Sequence, residues 1–171
     1  MKSLRTARLM LKPLDSSMAQ RLHELSLDED NRRFVPDEVF ETPEEAADVL
    51  ASLISFYGKS GQPQVYAVTL PGGELVGYVQ AAPLDHGWEL GYHIGAPYVG
   101  RGYATEAARA FLPCIMDELG GTELAGVCLA DNKASCRVLE KLGGMLTFAG
   151  VADYQGVPRQ VCHFQLLRYP G

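Results

Sequence analysis

The stretch YVGRGYATEA, Tyr98–Ala107, places two glycines around an arginine and then begins a helix. Glycine adopts backbone conformations that other residues avoid, and it lets a ligand come close to the main chain. The first turn of a helix has N–H groups without an intrahelical partner, and the helix dipole adds about half a positive charge there. The pattern predicts a main-chain site for an anion, with an ordinary glycine-rich turn as the alternative.

The segment WELGYHI, Trp88–Ile94, carries two groups that could move a proton. Side chains alternate across a strand, so Glu89 and His93 share one face while Tyr92 lies on the other. An ordinary histidine, with a pKa of about 6.5, suits neutral pH better than an ordinary glutamate at about 4.3. Both are candidate bases; the alternatives are a solvated or ion-paired glutamate and a structural histidine.

A third group lies in NKASCRVLEKLGG, Asn132–Gly144, which has helical spacing. Asn132 is a good residue for capping this helix, and Ser135 could simply face solvent. Cys136 could carry an acyl group only if a base activated it, and no histidine lies beside it in the sequence. A buried structural thiol is the expectation for Cys136.

The elements that precede these groups are two helices after one strand. ARLMLKPL, Ala7–Leu14, alternates like a strand, and DSSMAQRLHELSL then changes to helical spacing. In TPEEAADVLASLISFYG we expect Thr42 to cap a helix, Pro43 to take its first position and Glu45 to complete a capping box. Gly58 should end this helix.

The remaining elements predict a mixed sheet. QVYAVTL, ELVGYVQAAPL and GWELGYHIG indicate an antiparallel meander. A helix to about Leu119 follows, and Pro113 should kink or shorten it at a cost of roughly 3 kcal/mol. A strand, ELAGVCLA, the helix from Asn132 and the strands MLTFAGV and RQVCHFQLL complete the chain. The strand–helix–strand unit between Trp88 and Ala130 implies one parallel pair. The fold class is therefore α/β (α+β), a mostly antiparallel sheet of about seven strands with about four helices.

Composition limits the classes of function. The chain has 171 residues, a net charge of −6 and 47% apolar residues, which predicts one domain over residues 1–171 and argues against nucleic acid as a partner. The amino terminus lacks the continuous apolar core of a signal peptide, and no apolar run approaches the length of a membrane span. We expect a cytoplasmic protein without a membrane partner.

The cysteines point to a reducing compartment. The four are Cys114, Cys128, Cys136 and Cys162, and they form no CxxC pair and have no histidine at metal-ligand spacing. We expect free thiols and no metal. The sequence leaves the oligomeric state open, a homodimer included.

Two of these segments resemble the GNAT acyltransferases. ELGYHIGAPYVGRGYATEA is similar to the family's fourth strand and pyrophosphate loop, and NKASCRVLEKLGG to the helix that follows, most closely in the branch of RimJ- and RimL-type protein N-terminal acetyltransferases. The resemblance implies a GNAT-like sheet, acetyl-CoA as co-substrate, and direct transfer of the acetyl group to a primary amine in a ternary complex without a metal. A nucleotidase P-loop is excluded, because GRGYAT lacks the Lys-Ser/Thr pair.

The resemblance also implies roles for single residues. Glu89 is the base, and Ser135 donates a hydrogen bond to the departing thiolate. His93 stays a second candidate base on the strength of its position and its ordinary pKa alone. Asn132 contacts the pantetheine arm, and Tyr92, Ile94 and Gly95 offer main-chain groups where the parallel strands separate. The residues implied for coenzyme A binding are Tyr92, Ile94, Gly95, Val99, Gly100, Arg101, Gly102, Tyr103, Ala104, Thr105, Asn132 and Ser135.

Three positions depart from the family pattern. Val99 replaces the usual Gln or Arg, which is dispensable if backbone N–H groups hold the phosphates. Leu139 stands where many members carry a proton-donating tyrosine, and Gly144 replaces an aromatic residue. A thiol with a pKa of about 8.5 is a tolerable leaving group, so the missing tyrosine need not abolish turnover.

The acceptor is less determined. A protein α-amine, with a pKa of about 8, needs a weaker base than a lysine at about 10.4, which favours a protein N-terminus. The acidic segment LDEDNRRFVPDEVFETPEE would favour a cationic amine, although a solvated helix start is the commoner explanation. The alternatives are a small-molecule amine, such as a polyamine or an aminoglycoside-like compound, and a noncatalytic acyl-CoA-binding module.

Overall fold

The fold is a single mixed sheet with five α-helices in residues 2–168, the part of the chain that the computed structural model describes. The strands are β1 (Leu4–Arg5), β2 (Met10–Pro13), β3 (Gln64–Thr69), β4 (Leu75–Pro83), β5 (Trp88–Ile94), β6 (Glu123–Leu129), β7 (Met145–Tyr154) and β8 (Val157–Leu167). The helices are α1 (Ala19–Ser26), α2 (Glu29–Phe34), α3 (Pro43–Phe56), α4 (Tyr103–Leu119) and α5 (Lys133–Lys141). The strand order is β1-β2-β3-β4-β5-β6-β8-β7.

The predicted fold class is confirmed, and the structure adds two short elements. Every neighbouring pair of strands is antiparallel except β5 and β6, which are parallel. The eighth strand is β1, which has two residues, and the fifth helix is α2, which has six. Both are too short for a periodic pattern, and they escape prediction for that reason.

The parallel pair opens almost as soon as it forms. β5 and β6 are in register at a single pair, Glu89 opposite Ala125, while β5 remains paired with β4 as far as Ile94. Beyond Glu89 the two strands therefore separate toward the carboxyl end of β5. Open α/β sheets bind ligands at such ends.

The helix α4 follows this opening and runs through its internal proline. Pro113 cannot donate a hydrogen bond to the carbonyl group of residue Arg109. Both residues are exposed, so water can satisfy that carbonyl group. The buried face of α4 packs on the sheet, where the Phe111 ring meets the Tyr66 ring edge-on at 5.4 Å between centroids. The helix ends at Leu119, as predicted, so Pro113 does not shorten it.

The predicted caps form, with one correction. The Thr42 Oγ1 atom accepts a hydrogen bond from Glu45 N at 3.1 Å, and the helix begins at Pro43. The Glu45 carboxylate does not close the capping box on Thr42; it accepts from Glu41 N at 2.7 Å. The box is therefore wrong in its second half, because the carboxylate reaches one residue further back along the chain. The helix ends at Phe56, two residues before Gly58.

Candidate active site

A cleft of about 840 Å³ lies where β5 and β6 separate. Its walls come from β5, the loop before α4, the start of α5, the segment around α2 and the turn between β7 and β8. The predicted site residues that line it are Glu89, Tyr92, His93, Ile94, Val99, Gly100, Gly102, Tyr103, Ala104, Thr105, Asn132 and Ser135. Two predicted residues do not line it, Gly95 and Arg101.

These two residues have other contacts. A Cβ atom at Gly95 would lie 2.3 Å from Leu25 Cδ2, so Gly95 lets α1 pack closely on the end of β5. Arg101 is exposed, and its guanidinium donates to the Pro97 carbonyl oxygen at 3.3 Å. A charge from Arg101 would reach the cleft only if this side chain turned.

The loop before α4 presents main-chain donors to the cleft. Gly100 and Gly102 have φ of 76° and 79°, a left-handed conformation that glycine adopts without strain. The first intrahelical hydrogen bond runs from Glu106 N to Gly102 O at 3.0 Å, so the N–H groups from Tyr103 to Thr105 have no partner within the helix. Gly102 has no side chain to cap them. The geometry therefore fits an anion at this helix start.

Arg8 holds this loop, although sequence reasoning gave it no role. Its Nη1 atom donates to the Arg101 carbonyl oxygen at 2.9 Å, and its guanidinium lies 4.9 Å from the centroid of the Tyr103 ring. Arg8 also pairs with the Glu106 carboxylate at 2.6 Å. That pairing offsets the one acidic side chain in the first turn of α4, which would otherwise repel an anion. No local pattern predicts a contact across 93 residues.

Glu89 has an ionisation suited to proton transfer near neutral pH. Burial raises its pKa to about 7, with further contributions from the negative charges of Glu38 and Asp37. A carboxylate with a pKa near the operating pH can take up and release a proton efficiently. Tyr154, which also lines the cleft, has a pKa raised to about 12 by burial and nearby carboxylates, so it stays neutral.

Glu38 enters the cleft from the acidic segment that sequence reasoning treated mainly as solvated. Its carboxylate accepts hydrogen bonds from the Tyr78 hydroxyl and from Gln80 Nε2, the latter at 2.9 Å. Gln80 lies across Gly91, where a Cβ atom would stand 2.8 Å from Gln80 Nε2. Burial raises the pKa of Glu38. Because Gly91 has no side chain, Gln80 has the space that it needs to reach Glu38.

His93 is enclosed on the same face of β5. It is 8% exposed, and its Nε2 atom lies 3.1 Å from the Leu25 carbonyl oxygen. Because a carbonyl oxygen only accepts, Nε2 carries the proton of the neutral ring. Burial lowers the pKa of His93, which keeps the ring neutral at physiological pH. Its geometry is that of a side chain that joins β5 to α1.

The start of α5 faces the cleft from the other side of β5. The Asn132 Oδ1 atom accepts from Ser135 N at 3.1 Å, so Asn132 caps the helix as predicted. The Ser135 Oγ atom lies 2.9 Å from the Tyr92 hydroxyl oxygen. Leu139, one turn on, is 1% exposed and packs on Gly126, where a Cβ atom would lie 2.5 Å from Leu139 Cδ2. Sequence reasoning gave Tyr92 a main-chain role only and missed its side chain.

Two thiols lie behind Ser135. Cys128 and Cys136 are buried and reduced, with Sγ atoms 2.9 Å apart. Burial raises the pKa of Cys128 well above its ordinary value, which keeps it protonated and a poor nucleophile. Cys136 is 9% exposed. In residues 2–168, no group of three His, Cys, Asp or Glu side chains could hold a metal ion.

The turn between β7 and β8 closes the cleft over Glu89. The Tyr154 hydroxyl donates to the Phe34 carbonyl oxygen at 2.9 Å, and Gln155 donates to the Asp37 carboxylate. Gln155 has a φ of 54° and is the one non-glycine residue with positive φ in the described part of the chain. These contacts fix the acidic segment beside Glu89.

The described residues, 2–168, include no helix that is long and apolar enough to cross a bilayer.

One parallel pair opens beside a helix start with free N–H groups, and a carboxylate with a pKa of about 7 lies in the opening, an arrangement that fits the class of CoA-dependent acyltransferases. The family described as the acetyltransferase (GNAT) domain matches residues 8–145. The chain belongs to this family and is an acetyl-CoA-dependent N-acetyltransferase.

Known proteins support the assignment. YnaD of Bacillus subtilis, named as an uncharacterized N-acetyltransferase, is 26% identical over 141 residues, 81% of this chain and 79% of its own length. A GNAT-family acetyltransferase from Bacillus anthracis has a TM-score of 0.82 at 23% identity, covering 97% of this chain and 98% of its own. RimL, a ribosomal L7/L12 alpha-N-protein acetyltransferase in complex with coenzyme A, has a TM-score of 0.83 at 19% identity, covering 98% of each chain. At these identities the solved structures establish the shared fold.

Proposed function

We propose that this enzyme transfers an acetyl group from acetyl-CoA to the α-amine of a protein N-terminus, by direct attack in a ternary complex. The observation that carries the proposal is the position of Glu89, whose pKa is raised to about 7, in the same cleft as the helix start of α4 and Ser135. The cleft thus brings together unpaired main-chain N–H groups, a carboxylate and a hydroxyl group, which support an anion site, a base and a hydrogen-bond donor in the proposed reaction. Acetyl-CoA supplies the activated acyl group.

The proposed coenzyme A site rests on the main-chain N–H groups of the loop before α4 that have no partner within the helix. Main-chain N–H groups from Gly100 to Thr105 would hold the diphosphate, as expected for an anion at a helix N-terminus. Val99 is 60% exposed and offers no charge, so the main chain carries this binding. RimL, which shares this fold, was solved in complex with coenzyme A, and this supports coenzyme A as the ligand of this chain.

Glu89 is the proposed base, in preference to His93. His93 is buried, and the proton on its Nε2 atom is directed at the Leu25 carbonyl oxygen. Glu89 remains at the cleft, where an acceptor amine could reach it directly or through a water. A positioned base of this kind typically contributes about 10²–10⁴ in rate.

The pKa of Glu89 favours an α-amine over a lysine. The pKa of an α-ammonium group, about 8, is about one pKa unit above that of Glu89, so transfer of its proton to Glu89 is only slightly unfavourable. The pKa of lysine, about 10.4, is more than about three pKa units above that of Glu89. The carboxylates of Asp37 and Glu38 add a negative potential that attracts the ammonium form. RimL is named for the same kind of acceptor, the α-amine of a ribosomal protein.

A small-molecule amine is the second candidate acceptor. It is favoured by the acidic cleft, since a polyamine or an aminoglycoside-like compound carries several positive charges that Asp30, Asp37 and Glu38 would attract. The third candidate, a noncatalytic acyl-CoA-binding module, finds support in Leu139, which leaves α5 without a tyrosine.

A turnover assay separates these candidates. Release of coenzyme A is measured with acetyl-CoA and a panel of peptides with different N-terminal residues, spermidine and an aminoglycoside. We expect the highest kcat/KM with an unblocked peptide and none with the same peptide bearing an N-terminal acetyl group. A preference for spermidine or the aminoglycoside would assign a small-molecule acceptor, and tight coenzyme A binding without turnover would indicate the binding module.

A further inference from the structure

One side chain bridges the opening between β5 and α5. Tyr92 points away from the face of Glu89, and its ring is half-buried at the wall of the cleft. Its hydroxyl oxygen lies 3.0 Å from the Ser135 carbonyl oxygen and 2.9 Å from Ser135 Oγ. The phenol of a strand residue thus reaches the first turn of a helix 43 residues further along the chain.

The hydrogen bonds of this pair have two arrangements. Tyr92 has one hydroxyl proton and two acceptors within reach, the carbonyl oxygen and the Oγ atom of Ser135. When Tyr92 donates to the carbonyl oxygen, the Ser135 hydroxyl can donate to Tyr92. When Tyr92 donates to Ser135 Oγ, the Ser135 proton is free to turn into the cleft. The exchange needs only the rotation of two hydroxyl groups.

We propose that Tyr92 is a positioning residue for acyl transfer: it donates to Ser135 Oγ and so directs the Ser135 hydroxyl proton to the coenzyme A sulfur as the thioester breaks. This inference rests on the proposed function. It assigns the side chain of Tyr92 a part in the reaction, and it explains how α5 can act without a tyrosine of its own. Ser135 is the one hydroxyl residue in the α5 sequence KASCRVLEK.

The step balances without loss of the phenol proton. The acceptor nitrogen forms a bond to the acetyl carbon, the carbon–sulfur bond breaks with its electron pair on sulfur, and Glu89 takes the proton that leaves the nitrogen. Burial raises the pKa of Tyr92 well above its usual value, whereas a thiol has a pKa of about 8.5. Tyr92 therefore keeps its proton and stabilises the thiolate only through the Ser135 hydroxyl group.

The test uses Tyr92→Phe, Ser135→Ala and the double variant in the full chain. We expect kcat to fall on the order of tenfold in each single variant and no further in the double variant, because both changes interrupt one hydrogen-bond chain. The Kd for coenzyme A, measured by calorimetry, should stay within about twofold in Tyr92→Phe. The matched control is Tyr66→Phe, which removes a core hydroxyl outside the cleft and should leave kcat unchanged.

Two further results decide between a positioning role and a structural one. Replacement of Tyr92 by 3-fluorotyrosine keeps the hydroxyl group and should preserve kcat within about twofold, even if Tyr92→Phe folds poorly. An unchanged kcat in Tyr92→Phe, or single-variant losses that multiply in the double variant, would overturn the inference while wild-type turnover still supports the proposed function. If the wild type showed no turnover with any amine, that result would contradict the proposed function itself.

Discussion

Glu38 and Glu89 come from separate segments of the chain and meet in one cleft, where burial raises the pKa of Glu89 to about 7 and the charge of Glu38 contributes to the rise. Tyr78 and Gln80 hold the Glu38 carboxylate in place by hydrogen bonds. Asp37 adds to the same effect from the neighbouring position. The acidic segment between the first helices therefore acts on the ionisation of the candidate base.

Glu38→Gln should move the pH dependence of the reaction. Glu89 must be ionised to act as a base, so kcat/KM should fall as the pH drops below about 7. Removal of the Glu38 charge makes the Glu89 anion easier to form, so the acidic limb of the profile should shift to lower pH. The shift should be smaller than the full rise in the Glu89 pKa, because burial, the larger cause, remains. A pH–rate profile checks this.

The control for that profile is Glu41→Gln. Glu41 belongs to the same acidic segment, but it is exposed and paired with Arg32 outside the cleft. Its profile should match that of the wild type. A shift in both variants would mean that the pH of the acidic limb depends on the net charge of the chain rather than on the position of Glu38.

Glu89→Gln should lower kcat/KM by about 100-fold or more, because the amide cannot accept the acceptor's proton. The Kd for coenzyme A should be unchanged, since the main-chain donors of the loop stay in place. Steady-state kinetics and calorimetry measure the two quantities. A variant with full activity would reject Glu89 as the base and direct attention to His93.

The same substitution should stabilise the protein at alkaline pH. The folded-state pKa of Glu89 is raised, so the folded state favours the protonated form, and stability is lost as the pH rises through about 7. Gln mimics that neutral form, so Glu89→Gln should gain on the order of 2 kcal/mol over the wild type at pH 8. Denaturant unfolding at pH 8 and pH 4 checks the sign: the gain should vanish at pH 4, and an equal gain at both values would contradict it.

Local sequence patterns were enough to predict much of the fold and the glycines that shape the loop before α4. Thr42 and Asn132 are caps recognisable from their residue type and the helix that follows, and the structure confirms both. Gly100 and Gly102 have the positive φ for which glycine is suited. Each of these features depends on residues within four positions in the sequence, which is why the sequence alone could predict them.

Contacts between distant segments could not be predicted in this way. Arg8 holds a loop 93 residues away, and Tyr92 meets Ser135 across 43. Glu38 looked like one charge in a solvated acidic stretch, and only the fold places it against Tyr78 and Gln80. These relationships depend on how the strands and helices pack, which no local periodicity encodes.

Arg8→Ala should weaken coenzyme A binding through the loop. The variant removes the donor to the Arg101 carbonyl oxygen and leaves Glu106, an acidic residue in the first turn of α4, without its ion pair. Greater loop freedom and a repulsive charge should raise the Kd by about tenfold. The control is Arg32→Ala, which breaks an exposed ion pair outside the cleft and should leave the Kd unchanged. An unchanged Kd in Arg8→Ala would mean that the loop keeps its shape without this contact.

Gly100→Ala tests whether the backbone conformation of the loop creates the anion site. A Cβ atom at Gly100 meets nothing within 4 Å, so the cost of the change comes from its φ of 76°. Alanine in that conformation costs roughly 1 kcal/mol, and relief of this strain would turn the neighbouring N–H groups away from the ligand. Gly73→Ala is the matched control, because Gly73 has a φ of 91°, equally open surroundings and a place in the turn between β3 and β4. Both variants should lose similar stability in thermal unfolding, but only Gly100→Ala should raise the Kd for coenzyme A, by about tenfold; equal affinities would show that the phosphates are held elsewhere.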